Sequence, residues 1–579
     1  MRARGIPAAI CESPLMRGVL YYLTSNRGVG SMTEINGGRI AARQLKAAGV
    51  DTLFGVVAGP MIEIFAGAQQ EGLKVVGCRH EMNAAFMASA WGYLKRKPGV
   101  VVAGSGPGMT NTVTPMYVAT ASAMPLVVLG GSSYGSTHRL GGFQEADQVA
   151  FATPGCKWTG QVDSTERIPE LLHLALGRAT NGRPGAVYLD FPGHHVRRRL
   201  AEEDVRLRLS TPEITRPHPD PAALQRVADL LANAQRPLIV VGKGAAWADA
   251  GAPLERLVNL GIPYVTSPMG RGVIPDDNPH FMNSARSAAL KSADAILMVG
   301  ARFNWMFQFG RPPRYREDVR IAQIDIEPEE MYSAAEIELG IVADAAVAAE
   351  QLCDALQARK LATASTSWLA ELGQQRERNE ATLQKEMGLD SVPINPHRLV
   401  REIRDVVGRD VTLSVDGETI MGISRMVLPG YHARSQLSAG TTGCMGTGVP
   451  YAIGAALARP DRPSVAVLGD YAFGAAGMEV ETAARIGAKV VFVVANNEGI
   501  AGHLIQDHML PPGSPRIASL LPAHYEKMVE MVDGHAERVE RPEQIRPALE
   551  RALAADRVAL VHVLIDPKAT RASGGTYLQ

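Results

Sequence analysis

Two groups of residues in this chain have the types and spacing that chemistry needs. One apolar run ends at Gly469-Asp470 and a second ends at Asn496-Asn497, so that Asn497 stands 27 residues after Asp470. A carboxylate and a carboxamide are hard oxygen donors. Mg2+ takes a few such groups from a protein and fills its shell with phosphate oxygens and water. Gly469 lets the backbone approach a phosphate closely, and a helix starting behind it favours the anion. In the second group, Glu81 follows the apolar run 73–78 and opens an alanine-rich stretch. A carboxylate there either exchanges a proton with a bound group or only complements the start of a helix.

Strand tips and helix starts must hold both groups. Short apolar runs alternate with longer Ala-rich stretches, which is the pattern of α/β units with parallel strands. Strands are expected at 52–57, 99–103, 126–129, 238–241, 295–299, 321–326, 411–414, 464–468 and 490–495. Helices are expected at 38–48, 81–94, 221–234, 395–407 and 477–486. Ligands of an open parallel sheet bind beyond the carboxyl ends of its strands, so 464–468 and 490–495 must lie close together. Two stretches break the alternation and read as low-structure linkers: 197–221, with Pro212, Pro217, Pro219 and Pro221, and 358–396, charged and Gln-rich. The expected organisation is an N-terminal extension (1–32), three doubly wound parallel-sheet domains (33–200, 215–355, 393–570), a linker at 356–392 and a C-terminal tail at 571–579.

Composition narrows the function classes. Lys+Arg and Asp+Glu both number 59, so no basic excess draws the chain to nucleic acid or an acidic membrane surface. The five cysteines are scattered without a CxxC pair, which points to a reducing, cytoplasmic setting and no disulfide framework. No apolar run reaches the ~18–20 residues of a membrane helix. Residues 1–32 carry Arg2, Arg4, Arg17 and Arg27 against one acid, Glu12. They read either as a transit peptide or as an upstream start before a fold beginning near Met32; the absence of a convincing cleavage site favours the second.

The Asp470/Asn497 spacing resembles the Gly-Asp-Gly…Asn-Asn motif of thiamine diphosphate enzymes, with Tyr471 where the motif has Gly. The resemblance implies that Asp470, Asn497 and the carbonyl of Gly499 hold Mg2+, which bridges to the diphosphate. It implies further contacts from Gly417, Glu418, Thr419, Gly469, Tyr471, Ala472 and Ile500. Gly104-Ser-Gly-Pro-Gly108-Met-Thr-Asn111 and Phe143-Gln144-Glu145 resemble pyrimidine-side segments of the same superfamily. By that likeness Glu81 is the catalytic acid that drives the aminopyrimidine to its imino form. Gln144 reaches the reacting centre beside Phe143, and Pro60 and Asn111 touch the cofactor. Met445 is similar to the residue that bends the cofactor into a V, with the Gly443 carbonyl on the pyrimidine. In this superfamily the two cofactor domains meet across a subunit interface, which implies a homodimer as the minimal active unit and a homotetramer as the expected assembly.

Residues 35–568 resemble the 2-hydroxyacyl-CoA lyase and oxalyl-CoA decarboxylase group. The likeness rests on Phe54-Gly-Val-Val57, Gly242-Lys-Gly-Ala-Ala246, Gly300-Ala-Arg-Phe-Asn-Trp305 and Gly469-Asp-x-Ala-Phe-Gly-x-x-Gly-Met-Glu-Val-Glu-Thr482. Phe143-Gln144 matches the lyases, where the decarboxylase carries Tyr-Glu. Two departures remove bulk: Ala501 replaces the group's Tyr, and Gly59 replaces an Ile. The expected substrate is therefore a short branched acyl-CoA such as 2-hydroxyisobutyryl-CoA, split into formyl-CoA and acetone. The alternatives are oxalyl-CoA decarboxylation and an acetolactate synthase-like reaction. Glu498 and His503 read either as polar groups for the substrate hydroxyl or as solvated loop residues. Arg425, Lys568 and Arg571 are candidates for the CoA phosphates, with the C-terminal tail as a lid. Gly242-x-Gly244 and Gln323-Ile-Asp-Ile-Glu327 resemble a nucleotide fold and make ADP a candidate central-domain ligand.

Overall fold

The computed structural model describes residues 34–210, 212–359 and 364–569. The expectations for residues 1–32, for Arg571 and for the tail 571–579 lie outside the described residues.

Three parallel sheets follow one another along the chain. The first contains β1 (Thr52–Gly55), β2 (Lys74–Gly77), β3 (Gly99–Ala103), β4 (Leu126–Ser132), β5 (Trp158–Gln161) and β6 (Ala186–Pro192), in the order β2-β1-β3-β4-β6-β5. The second contains β7 (Pro237–Val241), β8 (Tyr264–Thr266), β9 (Ala295–Val299), β10 (Arg320–Asp325) and β11 (Leu339–Val342), in the order β8-β7-β9-β10-β11. The third contains β12 (Thr412–Asp416), β13 (Gln436–Leu437), β14 (Ser464–Gly469), β15 (Val490–Asn496), β16 (His535–Val539) and β17 (Ala559–Leu564), in the order β13-β12-β14-β15-β17-β16. The first and third sheets thus share one winding. Central strands such as β15, Val-Val-Phe-Val-Val-Ala-Asn, are buried at every position, because helices cover both faces of a parallel sheet.

In each sheet the order reverses between two neighbouring strands: β1 and β3, β7 and β9, β12 and β14. Such switch points open crevices at the carboxyl ends. Asp470 starts right behind β14, and Asn496 ends β15, its hydrogen-bonded neighbour.

Two Ala/Gly-rich helices join the first and third domains. Helix α1 (Glu81–Lys95) is capped by the His80 ring, which accepts the Met82 N–H at 3.1 Å. It packs on α2 (Gly448–Ala458), and the approach is so close that a Cβ on Gly454 would lie 2.4 Å from the Met87 carbonyl oxygen. Phe86 and Tyr451 meet edge to face at 5.8 Å.

One expectation is overturned. The stretch 358–396, read as low in structure, contains a helix of 24 residues, Ala364–Met387. Its Trp368 is buried and donates to the Pro237 carbonyl at 3.2 Å, while Leu372 and Met387 are also buried. A polar helix needs only a narrow apolar stripe to dock. This one straps the central domain through Arg376 and Asn379, which donate to the carbonyls of Pro279 and Ser284.

Candidate functional site

The switch-point crevice of the third sheet gathers most of the residues singled out in the C-terminal third. Gly417, Glu418 and Thr419 come from the tip of β12, Gly469, Asp470, Tyr471 and Ala472 from the tip of β14, and Asn497, Gly499, Ile500 and Ala501 from the loop after β15; Met445 closes one side. Gly417 sits at φ 97°, a conformation that favours glycine. Tyr471 needs no such freedom: it is the second residue of a helical turn, Asp470–Gly474, and its N–H donates to Asp470 Oδ1 at 2.7 Å. The Gly-to-Tyr departure therefore leaves the turn intact. Gly443 does not line this crevice; it lies exposed at φ 61°.

Asp470 is buried, and Gly499 N–H donates to its Oδ2 at 2.9 Å. Burial pushes its carboxyl up to about 6, against the pull of the surrounding backbone N–H groups. One terminal atom of the Asn497 amide lies 3.0 Å from the Gly499 carbonyl oxygen, and the other lies 3.1 Å from the Gly502 N–H. With nitrogen towards Gly499, two ordinary hydrogen bonds result. With oxygen towards Gly499, two acceptors face each other at a separation that is repulsive unless a cation lies between them. The second arrangement is the one in which the Asn497 amide oxygen and the Gly499 carbonyl would both be free to hold a hard cation such as Mg2+. Among the described residues no group of three or more His, Cys, Asp and Glu gathers as metal ligands. One carboxylate with two neutral oxygens is instead the donor set that leaves room for phosphate oxygens.

Two buried anchors beneath the crevice escaped the sequence reading. Asp416 is fully buried and accepts from Gly417 N–H and Gly448 N–H, each at 2.8 Å, so it ties the tip of β12 to the start of α2. Burial raises its carboxyl above the usual range. His562, on β17, accepts from Asn496 Nδ2 at 3.0 Å and meets Glu526 Oε2 through Nδ1 at 2.6 Å, while Asn496 Oδ1 accepts the Glu498 N–H at 2.9 Å. Burial lowers the ring's proton affinity, and a neutral ring satisfies both contacts. An Asp-Gly pair at the end of an apolar run was a usable signal for Asp416; nothing local marks His562.

In the first domain the N-terminal candidates converge at another switch point. Asn111 Nδ2 donates to Glu81 Oε2 at 3.0 Å, and Gly108 lies against Glu81 Oε1. The Gln144 carbonyl packs on Gly106 so closely that a Cβ there would meet it at 2.4 Å. Gln144 itself has φ 55°, and Phe143 is 89% exposed. Pro60 packs beside Gly131 and Gly193, while a Cβ on Gly59 would meet nothing within 4 Å. Glu81 does not line the crevice of Asp470 within the chain.

Glu498 and His503 do meet: His503 Nε2 stands 3.3 Å from Glu498 Oε2. Glu498 and Ala501 both hold left-handed backbone, at φ 61° and 53°, which marks a constrained loop. Arg425 lines a separate cleft with Arg271, Arg286, Asn283, Gln375 and Asn379, between the central domain and the strap helix. Lys568 is exposed and is not part of that cleft. In the central domain Gly242 is explained by packing, since a Cβ there would fall 2.0 Å from the Gly300 oxygen. The half-buried Lys243 turns to the first domain, donates to Ala123 O at 2.5 Å and lies 4.0 Å from the Tyr93 ring centre.

Comparison with known proteins agrees with this architecture. Residues 35–151 match the thiamine pyrophosphate enzyme N-terminal TPP binding domain, 224–352 its central domain and 417–563 its C-terminal TPP binding domain. The human 2-hydroxyacyl-CoA lyase 1 is 34% identical, over 94% of this chain and 97% of the relative. The oxalyl-CoA decarboxylase of Escherichia coli is 32% identical over 93% and 96%, and a probable acetolactate synthase of Mycobacterium bovis 34% over 92% and 96%. With all three domains matched and full-length relatives at this identity, the chain belongs to the thiamine pyrophosphate enzyme family, among the relatives of the 2-hydroxyacyl-CoA lyases.

Proposed function

We propose that the protein is a carbon–carbon lyase dependent on thiamine diphosphate and Mg2+, cleaving a short branched 2-hydroxyacyl-CoA such as 2-hydroxyisobutyryl-CoA into formyl-CoA and acetone. The observation that carries the cofactor reading is the gathering of Asp470, Asn497 and Gly499 in one crevice at the switch point, with Gly499 tied to the Asp470 carboxylate. The cofactor, when bound, supplies the carbanion that adds to the thioester carbonyl and accepts the electrons of the broken bond.

The protein's own groups do the rest. Asp470, Asn497 and the Gly499 carbonyl hold the cation. Glu81, oriented by Asn111, exchanges the proton that activates the cofactor. Glu498, with His503 beside it, takes the proton from the substrate hydroxyl as the carbon–carbon bond breaks, leaving the ketone, and returns it to the one-carbon fragment that departs as formyl-CoA. The open space at Gly59 and the small Ala501 favour a second substituent on the carbinol carbon. The cleft that Arg425 and Arg286 line suits the CoA phosphates, because guanidinium groups bind phosphate through paired donors. A nucleotide such as ADP is the ligand proposed for the cleft that Lys243, Arg302 and Asp325 line.

Glu81 lies off the Asp470 crevice, while Met445, Tyr471 and Phe143 are exposed around the two half-sites. These features support a homodimer, paired further into a tetramer, in which one chain's Glu81 serves the other chain's cofactor. Purified protein given 2-hydroxyisobutyryl-CoA, a straight-chain 2-hydroxyacyl-CoA, oxalyl-CoA and pyruvate separately, with products read by mass spectrometry, tests the proposal. Acetone with formyl-CoA supports it. Carbon dioxide from oxalyl-CoA alone, or acetolactate from pyruvate, defeats it in favour of the corresponding alternative.

A further inference from the structure

The proposed mechanism gives no task to the buried carboxylate of Glu479. Glu479 opens the helix Glu479–Arg485 of the third domain and is wholly shielded from solvent. Its partners lie in the first domain. Oε1 accepts the backbone N–H groups of Arg79 at 3.1 Å and His80 at 3.2 Å, and the side-chain amide of Asn83 at 3.0 Å. Oε2 accepts the Thr482 hydroxyl at 2.5 Å. From the other end of the same short helix, Arg485 Nη2 donates to the Gly77 carbonyl at 2.6 Å. A single helix therefore grips the backbone on both sides of residue 78 and ends its grip one residue before Glu81.

A buried carboxylate is tolerated only when its lone pairs are satisfied. Here four donors satisfy it, two of them the peptide N–H groups that set the direction in which the chain enters α1. Fixing the peptides of residues 79 and 80 fixes where the Glu81 side chain departs. The same segment begins at Asp470, so the strand tip that would hold the cation and the carboxylate that fixes Glu81 are nine residues apart.

We infer that Glu479 is a positioning residue for Glu81, acting across the domain boundary. The inference rests on the proposed role of Glu81. It implies that, in the dimer, each chain's metal-binding segment sets the acid that serves the partner's cofactor.

The test uses the full-length protein loaded with thiamine diphosphate and Mg2+. The main readout is hydrogen–deuterium exchange at the cofactor's C2, by acid quench and NMR. Cofactor affinity and amide exchange of the peptide 77–83 are measured beside it. Glu479→Gln keeps the shape and removes the charge. It should slow C2 exchange and kcat by at least about tenfold, with cofactor affinity and KM little changed, since small misplacement of a catalytic group is costly. Amide exchange of 77–83 should quicken.

C2 exchange at the wild-type rate overturns the inference, whatever happens to stability. Should Glu479→Gln fail to fold, Arg485→Ala, whose side chain is 44% exposed, carries the test. A smaller slowing of C2 exchange supports the inference, and none overturns it. Glu81→Ala separates the two claims. If it leaves C2 exchange intact, the reading of Glu81 has failed; if it abolishes exchange while Glu479→Gln does not, only the present inference has.

Discussion

Metal binding at the Asp470 crevice should be a competition with a proton. Burial pushes the Asp470 carboxyl up to about 6, and a cation of this type binds only the ionised form. The apparent affinity then falls by the factor 1 + 10^(pKa − pH). With the carboxyl near 6, binding at about pH 5 is roughly tenfold weaker than at about pH 7.5, or about 1.4 kcal/mol. A solvated aspartate would lose almost nothing over that interval. The same shift acts on the metal-free fold. A carboxyl whose folded value is raised costs nothing below its unfolded value, near 4. The penalty grows as the pH climbs to about 6 and levels off near 3 kcal/mol, and the bound cation relieves it. The assay is Mn2+ binding followed by loss of the free-ion electron paramagnetic resonance signal, without the cofactor, so that no diphosphate titrates. Equal Mn2+ affinity at about pH 5 and pH 7.5 would refute the reasoning. So would Asp470→Asn retaining the pH dependence.

Two further outcomes follow from the other clefts. Arg425→Ala should raise KM for the acyl-CoA about tenfold or more while leaving kcat nearly unchanged, because a charge-assisted bond to a phosphate is worth about 1.5–3 kcal/mol; steady-state kinetics with unaltered KM would remove Arg425 from the CoA site. Gly59→Ile places bulk where a Cβ meets nothing within 4 Å, at a position without left-handed backbone. It should lower kcat/KM for 2-hydroxyisobutyryl-CoA by about tenfold or more relative to a straight-chain 2-hydroxyacyl-CoA, and equal losses on both would place Gly59 outside the pocket.

What could be read from the chain was local. Strands β3, β9 and β14 stand within a residue of their expected bounds, because a strand covered on both faces is a bare apolar run. The residues proposed to hold the cation were visible because they sit at the ends of such runs, at a spacing set by one strand–helix–strand unit. The strap helix was missed because only a few of its side chains, Trp368 and Leu372 among them, are buried. Against 24 residues rich in Glu, Gln and Arg that stripe is too thin to show as a period. The shared winding of the first and third sheets left no trace at all, since topology constrains strand order and burial rather than residue identity.

The residues that hold the site together were hidden for a different reason. Glu479 pairs with Asn83 at a separation of 396 positions, His562 with Asn496 at 66, and Asp416 with Gly448 at 32. Taken in its own segment each is unremarkable: a helix-start Glu, a strand His, a strand-end Asp. Each is costly to bury alone and is retained because a distant backbone or side chain completes its hydrogen bonds. Such a residue acquires its role only once the chain has folded. A motif can therefore announce which atoms would meet a cofactor while the groups that aim those atoms stay unreadable. The consequence is experimental: conservative changes at Glu479, Asp416 and His562 are where geometry can be loosened without removing a single proposed ligand or catalytic group.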